Sequence, residues 1–252
     1  MVVTPLAIIP PLAWLFFFAT QDRHREKLMD LTHVFLWGVA LAVPVIVIEN
    51  ILSCWFVDCR EGFDLMGGAA PFLFVLPPVI FSFLAIAFVE ELGKYLVVRF
   101  RAVSQNFLEE PQDAMVYMIT AALGFAAIEN ILYALGTFQN PGVGGEVVVQ
   151  IIVLRSITAN ILHIVASATL GYFLALALAN PREFKRFLYT GLALATLLHG
   201  IFNTFIIRIV ERNLNGQFGA ANFETILLVA LLIISGIIIL TTFYTLAKKT
   251  FS

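Results

Sequence analysis

Five ionisable residues interrupt segments of this chain that are otherwise strongly apolar: Glu90, Glu91, Glu129, His163 and His199. A charged side chain at the centre of a bilayer costs about 3 kcal/mol on insertion scales, so such residues normally face a partner or a water-filled cavity. Carboxylates and imidazoles are also the groups that move protons and bind divalent metals. These five residues are therefore the first candidates for a functional site.

The five residues share one depth along their helices. At a rise of 1.5 Å per residue, Glu129, His163 and His199 lie within roughly 4 Å of the centres of their own apolar segments, and Glu90 and Glu91 lie within roughly 9 Å of theirs. Private interhelical hydrogen bonds, which buried polar residues often make, give no reason for a common depth. A single polar site inside the membrane requires a common depth.

Helical spacing adds two further candidates. Lys94 follows Glu90 by four residues and Glu91 by three, so its ammonium can offset part of the carboxylate charge and hold one glutamate ionised. Asn203 follows His199 by four residues and shares its helix face. The predicted catalytic set is Glu90, Glu91, Lys94, Glu129, His163, His199 and Asn203.

The elements that must position these residues are membrane-spanning helices. Of 252 residues, 60% are hydrophobic and 13% charged, a composition that a water-soluble domain would not keep in solution. Judged against the ~20 residues needed to cross a bilayer, the apolar runs predict seven spans, at about 5–19, 33–57, 72–98, 115–138, 147–179, 187–207 and 225–247. We predict an all-α polytopic bundle in which residues 1–252 form a single integral membrane domain.

The distribution of basic residues orients this bundle. Ten lysines and arginines fall on one side of the predicted membrane, and only Arg60, Arg208 and Arg212 fall on the other. Because basic residues are enriched in cytoplasmic loops, the N-terminus is predicted outside and the C-terminus in the cytoplasm. The net charge of −2 and the scattered basic residues argue against nucleic-acid binding.

Two charged residues inside predicted spans have other expected roles. Glu49 lies within the pentapeptide 48–52, which recurs at 128–132, and it is nearer its helix end; it is an interfacial or substrate-gate candidate. Arg155 is expected to snorkel towards the outer surface, or to pair with Glu146 or Glu49.

Two cysteines, Cys54 and Cys59, complete the inventory of reactive side chains. They are too few for a disulfide framework or a cysteine-rich metal site. They are either free thiols or, if their loop faces an oxidising compartment, a pair.

The ordered motifs resemble those of one protein family. The stretch 90–94 reads as E-E-x-x-K, 125–129 as F-x-x-x-E and 199–203 as H-x-x-x-N, with His163 alone in the helix between the last two. This set resembles the PrsW family of intramembrane proteases, which is similar in turn to the CAAX-processing and bacteriocin-processing endopeptidases. The resemblance covers about residues 85–205, the motif core.

The resemblance implies an active site within the inner membrane of a prokaryotic cell. It also implies cleavage of membrane-associated, single-pass protein substrates, which in some members are anti-sigma factors. Two positions depart from the pattern: PrsW-like sequences often carry Asp where Asn203 stands, and CAAX-type relatives carry His where Glu129 stands. Roles at these two positions are therefore not transferred from those relatives.

Peptide hydrolysis needs an activated water, a stabilised oxyanion and a proton donor for the leaving amine. In one arrangement, Glu129, His163 and His199 hold a divalent ion, Zn²⁺ or similar, with a fourth position for water. Glu90 or Glu91 is then the general base. Charge favours this arrangement, because Glu129 adds a further buried carboxylate to the pair.

A second arrangement needs no metal. One glutamate of the 90/91 pair takes the proton from water and Glu129 assists, while His199 and Asn203 donate hydrogen bonds to the oxyanion. The excess of carboxylates is then resolved if one of them stays protonated.

Two other classes of protein also fit a midplane polar site. A secondary transporter places carboxylates and histidines there, but typically shows internal repeats, and only the pentapeptide is repeated here. A non-catalytic scaffold subunit of a membrane protease need not retain both glutamates and both histidines. The sequence thus favours the protease, while the substrate and the oligomeric state stay open.

Overall fold

The computed structural model describes residues 3–21, 26–56, 86–139, 145–214 and 218–246. Across these ranges there are helices and no strands, which confirms the predicted all-α fold. The α-helices there are α1 (Val3–Gln21), α2 (Leu28–Phe56), α3 (Phe88–Arg101), α4 (Pro111–Gln139), α5 (Gly145–Ala179), α6 (Phe184–Leu214) and α7 (Phe218–Leu246). Short 3₁₀ turns at Val103–Gln105 and Pro181–Glu183 follow α3 and α5.

Five stretches in the described ranges are long and apolar enough to cross a membrane: Leu28–Leu52, Pro111–Leu135, Ile157–Ala179, Pro181–Ile206 and Asn222–Phe243. Helix α1 carries a shorter apolar stretch, Ala7–Thr20. The predicted span 72–98 is described only from residue 86 onward, where it leads into α3. The protein is therefore a polytopic integral membrane protein.

Helices α4 and α5 form the centre of the bundle. Within an 18-residue window of each helix, 78% of residues are buried in α4 and 67% in α5, compared with 22% in α7. An apolar helix that the rest of the protein leaves uncovered has lipid as its solvent. The internal core therefore lies on α4 and α5, and most of the lipid-facing surface lies on α2, α6 and α7.

Glycines allow α2 and α4 to touch backbone to backbone. A Cβ atom built on Gly38 would overlap the carbonyl oxygen of Ala121, and one built on Gly124 would overlap that of Phe35. Such small residues let membrane helices approach closely, with dispersion contacts replacing side-chain bulk. The two glycines thus fix the position of α4 against α2.

The ends of α3 and α4 suit the charges they carry. Glu90 and Glu91 lie in the first turn of α3, where the helix dipole favours negative charge, and arginines lie in its last turn. At the start of α4, the Asp113 carboxylate accepts backbone N–H bonds from Glu109 and Glu110, each at 2.6 Å. These bonds satisfy donors that the helix leaves unpaired, so α4 begins at a fixed point.

Candidate active site

Polar side chains from four helices converge between α3, α4, α5 and α6. They are Glu90, Glu91 and Lys94 from α3, Glu129 from α4, His163 from α5 and His199 from α6. The side chain of Glu129 is 22% exposed, whereas the other five are 4% exposed or less. These side chains therefore lie together, as their shared depth along the helices predicts.

Lys94 lies at the centre of this cluster and is completely buried. Its ammonium donates to Glu90 Oε2 at 3.1 Å and to Glu91 Oε1 at 2.8 Å. The third partner is His163 Nδ1, at 2.8 Å. An ammonium has three donors and no acceptor, so these bonds use all of its protons and Nδ1 must be the acceptor.

Both oxygens of Glu91 are engaged. Oε1 accepts from Lys94 and from His199 Nδ1, which lies at 2.9 Å, and Oε2 accepts from the hydroxyl of Ser167 at 2.9 Å. Ser167 was absent from the predicted site, although it stands four residues after His163 and so shares its face of α5. Glu91 is thus saturated by contacts from three other side chains.

Glu90 differs from its neighbour because only one of its oxygens is hydrogen-bonded within the described part of the chain. Oε2 accepts from Lys94, whereas Oε1 lies 3.7 Å from His199 Nε2, beyond hydrogen-bonding distance. Oε2 is also 3.9 Å from His163 Nδ1. One carboxylate oxygen of Glu90 therefore faces the space between the two imidazoles.

Glu129 lies on the other side of the His163 ring. Its Oε2 is 2.9 Å from His163 Nε2, and its Oε1 is 3.0 Å from an Nη atom of Arg155. Because Nδ1 of His163 accepts from Lys94, Nε2 carries the proton and donates it to Glu129. Among the described residues Arg155 pairs with Glu129 and not with Glu49, whereas the side chain of Glu146 lies outside them, so a pairing with Glu146 stays a prediction.

Aromatic rings enclose the cluster. The His163 and His199 rings meet edge to face with centroids 5.2 Å apart, and the Phe125 ring lies 5.7 Å from that of His163. Lys94 Nζ is 4.7 Å from the centroid of Phe125, within the range of a cation–π contact. The first residue of the F-x-x-x-E motif is thus a wall of the site.

The donor set for a metal ion can be tested on these positions. Glu90, His163 and His199 each offer one ligand atom, and the three atoms lie within 4.8 Å of one another. Two imidazoles and one carboxylate make a known catalytic zinc set. Ligation through His163 Nδ1 would replace the bond from Lys94. The residues therefore fit a divalent ion, with Glu90 in the place where the sequence-based set has Glu129.

The site contains more positive charge than Lys94 alone supplies. Three carboxylates, Glu90, Glu91 and Glu129, are met by the two cations Lys94 and Arg155. With neutral histidines, one negative charge remains. The charge imbalance that favoured a metal is therefore smaller than expected, and the geometry of the donors is the stronger reason for one.

Two other predicted residues lie outside this network. Asn203 is half-buried one turn beyond His199, and its amide makes no hydrogen bond with the described residues. Glu49 is close enough to Glu90 and Glu129 for their charges to interact, and its Oε1 is buried without a hydrogen-bond partner in the described structure.

The cysteine pairing stays a prediction. Cys59 and the side chain of Cys54 lie outside the residues that the structure describes.

Comparison with known proteins covers the whole of this site. A family model described as PrsW family intramembrane metalloprotease matches residues 26–246. That range includes all six clustered residues, Arg155, Ser167 and Asn203. No solved structure gives a significant match.

Curated relatives carry the same family name. Protease PrsW of Clostridioides difficile (strain 630) is 30% identical, and the match covers 82% of this chain and 79% of the relative. Protease PrsW of Geobacillus kaustophilus (strain HTA426) is 27% identical over 79% of this chain and 77% of its own. Protease PrsW of Bacillus subtilis (strain 168) is 26% identical over 78% of each chain.

Proposed function

Because this chain belongs to the PrsW family of intramembrane metalloproteases, we propose that it cleaves membrane-embedded protein substrates with the buried cluster around Glu90, His163 and His199. The observation that carries this proposal is the meeting of acid and imidazole groups from four helices within hydrogen-bonding distance. The family match favours proteolysis over the transporter and scaffold alternatives.

Glu90, His163 and His199 are proposed to hold the metal ion, which we take to be Zn²⁺. Their three donor atoms are the right kind and are close enough together. When bound, the ion would supply a Lewis acid that polarises the scissile carbonyl and acidifies water. The one net negative charge of the cluster favours a cation in this place.

Glu90 is the carboxylate proposed to meet the reacting water. Its Oε1, which faces His199 Nε2, is the oxygen proposed to hold the ion, so Oε2, which accepts one bond from Lys94, is the oxygen proposed to take the proton. As water attacks the carbonyl carbon, its proton passes to Glu90, and the same carboxyl then gives a proton to the departing amine nitrogen as the C–N bond breaks. A second proton carrier is therefore not needed.

Glu91 and Glu129 are proposed to be positioning residues. Glu91 accepts from His199 Nδ1, which leaves Nε2 with its lone pair facing Glu90. Glu129 accepts from His163 Nε2 and leaves Nδ1 for the site. Each glutamate thus selects which ring nitrogen of its histidine is available.

Two groups are proposed to stabilise the oxyanion. Asn203 follows His199 by one turn and its amide is not committed to a described partner, so it can donate to a substrate oxygen. The Lys94 ammonium, held by Glu90 and Glu91, supplies the nearest positive charge.

The proposed substrate is a single-pass membrane protein, such as an anti-sigma factor, in the inner membrane of a prokaryotic cell. Residues 1–252 are proposed to act as one integral membrane domain. The substrate helix would reach the cluster from the bilayer, since most of the surface of α2, α6 and α7 is uncovered by protein.

Cleavage of a single-pass protein in proteoliposomes tests this proposal. The wild-type protein should release the substrate fragment, and Glu90→Gln should abolish the release. Glu183→Gln is the matched control, because Glu183 is an exposed carboxylate that pairs only with the nearby Arg186 among described residues. Equal cleavage by wild type and Glu90→Gln would refute the assignment, and substrate-independent ion uptake would favour a transporter.

A further inference from the structure

We propose that Arg155 is a positioning residue for the active site: it holds the Glu129 carboxylate in the orientation that fixes the His163 ring. This inference rests on the proposed role of His163 in the site. Arg155 contacts neither the proposed donor atoms of Glu90, His163 and His199 nor the scissile bond, and it acts on them only through Glu129.

The contacts form a continuous line from Arg155 to the centre of the cluster. An Nη atom of Arg155 is 3.0 Å from Glu129 Oε1, Glu129 Oε2 is 2.9 Å from His163 Nε2, and His163 Nδ1 is 2.8 Å from Lys94 Nζ. Each carboxylate oxygen of Glu129 therefore has one hydrogen-bonding or ion-pair partner among the described residues. Rotation of this carboxylate would break both bonds together.

The guanidinium of Arg155 is itself held on two more sides. Its Nε donates to Asn130 Oδ1 at 3.3 Å, and Asn130 Nδ2 donates to Asn160 Oδ1 at 3.1 Å. Its Cζ is 3.5 Å from the centroid of the Tyr133 ring. Arginine suits such a site because its planar fork binds a carboxylate and stacks on an aromatic face at once. The position of the Arg155 guanidinium is therefore set by contacts other than the one with Glu129.

Without Arg155, the remaining contacts would not hold Glu129. Its carboxylate would be the third near Glu90 and Glu91, whose cation Lys94 already has three acceptors. Repulsion within a medium of low dielectric would then favour a rotamer of Glu129 that points away. His163 Nε2 would lose its acceptor, and only the bond that Nδ1 accepts from Lys94 would still hold the ring.

Arg155 could also simply tie α4 to α5, and this structural role makes a different prediction. A tie between helices would lower stability whether or not residue 129 carries a carboxylate. A positioning role through Glu129 disappears once that carboxylate is removed. A double-mutant cycle between Arg155 and Glu129 therefore separates the two roles.

The experiment uses the full chain in proteoliposomes, as wild type, Arg155→Gln, Glu129→Gln and the double variant. The affinity for Zn²⁺ is measured by competition with a chelator, and kcat and KM are measured on a single-pass substrate. The melting temperature is measured from the fraction of protein that stays monodisperse on heating. Arg208→Gln is the matched control, because Arg208 is exposed and its substitution removes an arginine outside the buried cluster.

Arg155→Gln should weaken Zn²⁺ binding and lower kcat by about 10-fold or more, with KM changed less than about 2-fold. In the Glu129→Gln background, the same substitution should change either quantity by less than about 2-fold. Arg208→Gln should leave both unchanged. Losses that multiply in the double variant would overturn the proposal.

A second readout is independent of cleavage. In protein with ¹⁵N-labelled histidine, His163 should carry its proton on Nε2 in the wild type, and in Arg155→Gln the signal of this N–H should shift and its proton should exchange faster with solvent, because its acceptor is lost. If Arg155→Gln does not fold, Arg155→Lys replaces it and should show smaller changes of the same kind. An unchanged His163 spectrum would overturn the proposal, even if cleavage and zinc binding by the wild type failed and refuted the proposed function.

Discussion

His199 is held by Glu91 through one ring nitrogen, with Nδ1 at 2.9 Å from Oε1 of the carboxylate. The other nitrogen, Nε2, lies 3.7 Å from Glu90 Oε1. Adjacent glutamates on one helix turn thus contact opposite nitrogens of the same imidazole. This relationship separates their proposed roles. Glu91 orients the His199 ring, and Glu90 contacts the metal ion and the water that Nε2 of this ring is proposed to face.

The two glutamates should therefore respond differently to the same substitution. Glu90→Gln should lower kcat by about 1,000-fold, the scale of losing a proton acceptor. Glu91→Gln should lower it by about 10- to 100-fold, because the amide oxygen still accepts from His199 and Lys94. Initial rates of substrate cleavage measure both. Equal residual activity would contradict this division of roles.

Metal removal should distinguish Glu90 from Glu129 as the third donor. Purified wild-type protein should bind about one zinc ion per chain and lose activity to a strong chelator, regaining it with Zn²⁺. Glu90→Gln should lose the ion, whereas Glu129→Gln should retain it with affinity about 10- to 100-fold weaker. Elemental analysis and chelator competition measure this. Full activity in metal-free protein would exclude zinc.

Ser167→Ala should show that Glu91 needs its third partner. The hydroxyl donates to the fully buried Oε2, so its loss should cost about 2 kcal/mol of unfolding free energy and lower kcat. Ser235→Ala is the control, because the Ser235 hydroxyl bonds only to the backbone of its own helix in the described structure. Denaturant titration measures the stability. Equal effects of the two substitutions would argue against the role of Ser167.

Gly124→Ala should weaken the contact between α2 and α4. The added methyl group would overlap the carbonyl oxygen of Phe35, so the helices must separate, at a cost of about 1–3 kcal/mol. Gly236→Ala is the matched control, because no atom lies within 4 Å of a Cβ built on Gly236. The melting temperature should fall for Gly124→Ala and stay unchanged for Gly236→Ala. Equal melting of both would show that the helices do not touch at Gly124.

The orientation of the chain is a prediction that reporter fusions can test. A reporter that is active only in the cytoplasm, fused after residue 252, should be active, and one fused ahead of residue 1 should be silent. Inactivity at the C-terminus would reverse the predicted orientation.

The helices and most residues of the candidate cluster could be predicted because each signal is local to one segment. Apolar runs marked α4 to α7, although the helices continue beyond the runs, since a helix end in the interface can be polar. The pairs formed by Lys94 with Glu90 and Glu91 follow from helical spacing and were found at 3.1 and 2.8 Å. The meeting of side chains from four helices was predicted from their similar depth along those helices.

Contacts that depend on the rotation of one helix against another could not be predicted in this way. The ion pair of Arg155 with Glu129 and the bond of Ser167 to Glu91 each join different helices. Depth places Arg155 about 12 Å before His163 along α5, so it was not grouped with the site, although its long side chain reaches Glu129. The choice of Glu90 as a donor likewise depends on side-chain rotamers that no sequence pattern specifies.

The bonds from Lys94 to Glu90 and Glu91 lie within a single turn of α3. They need no other helix, so they can form as soon as this segment is helical. Placing a helix with two unpaired carboxylates in the bilayer would be costly, whereas Lys94 offsets part of the charge that α3 carries. The lysine that lies among the proposed reacting groups therefore also lowers the cost of placing α3 in the membrane.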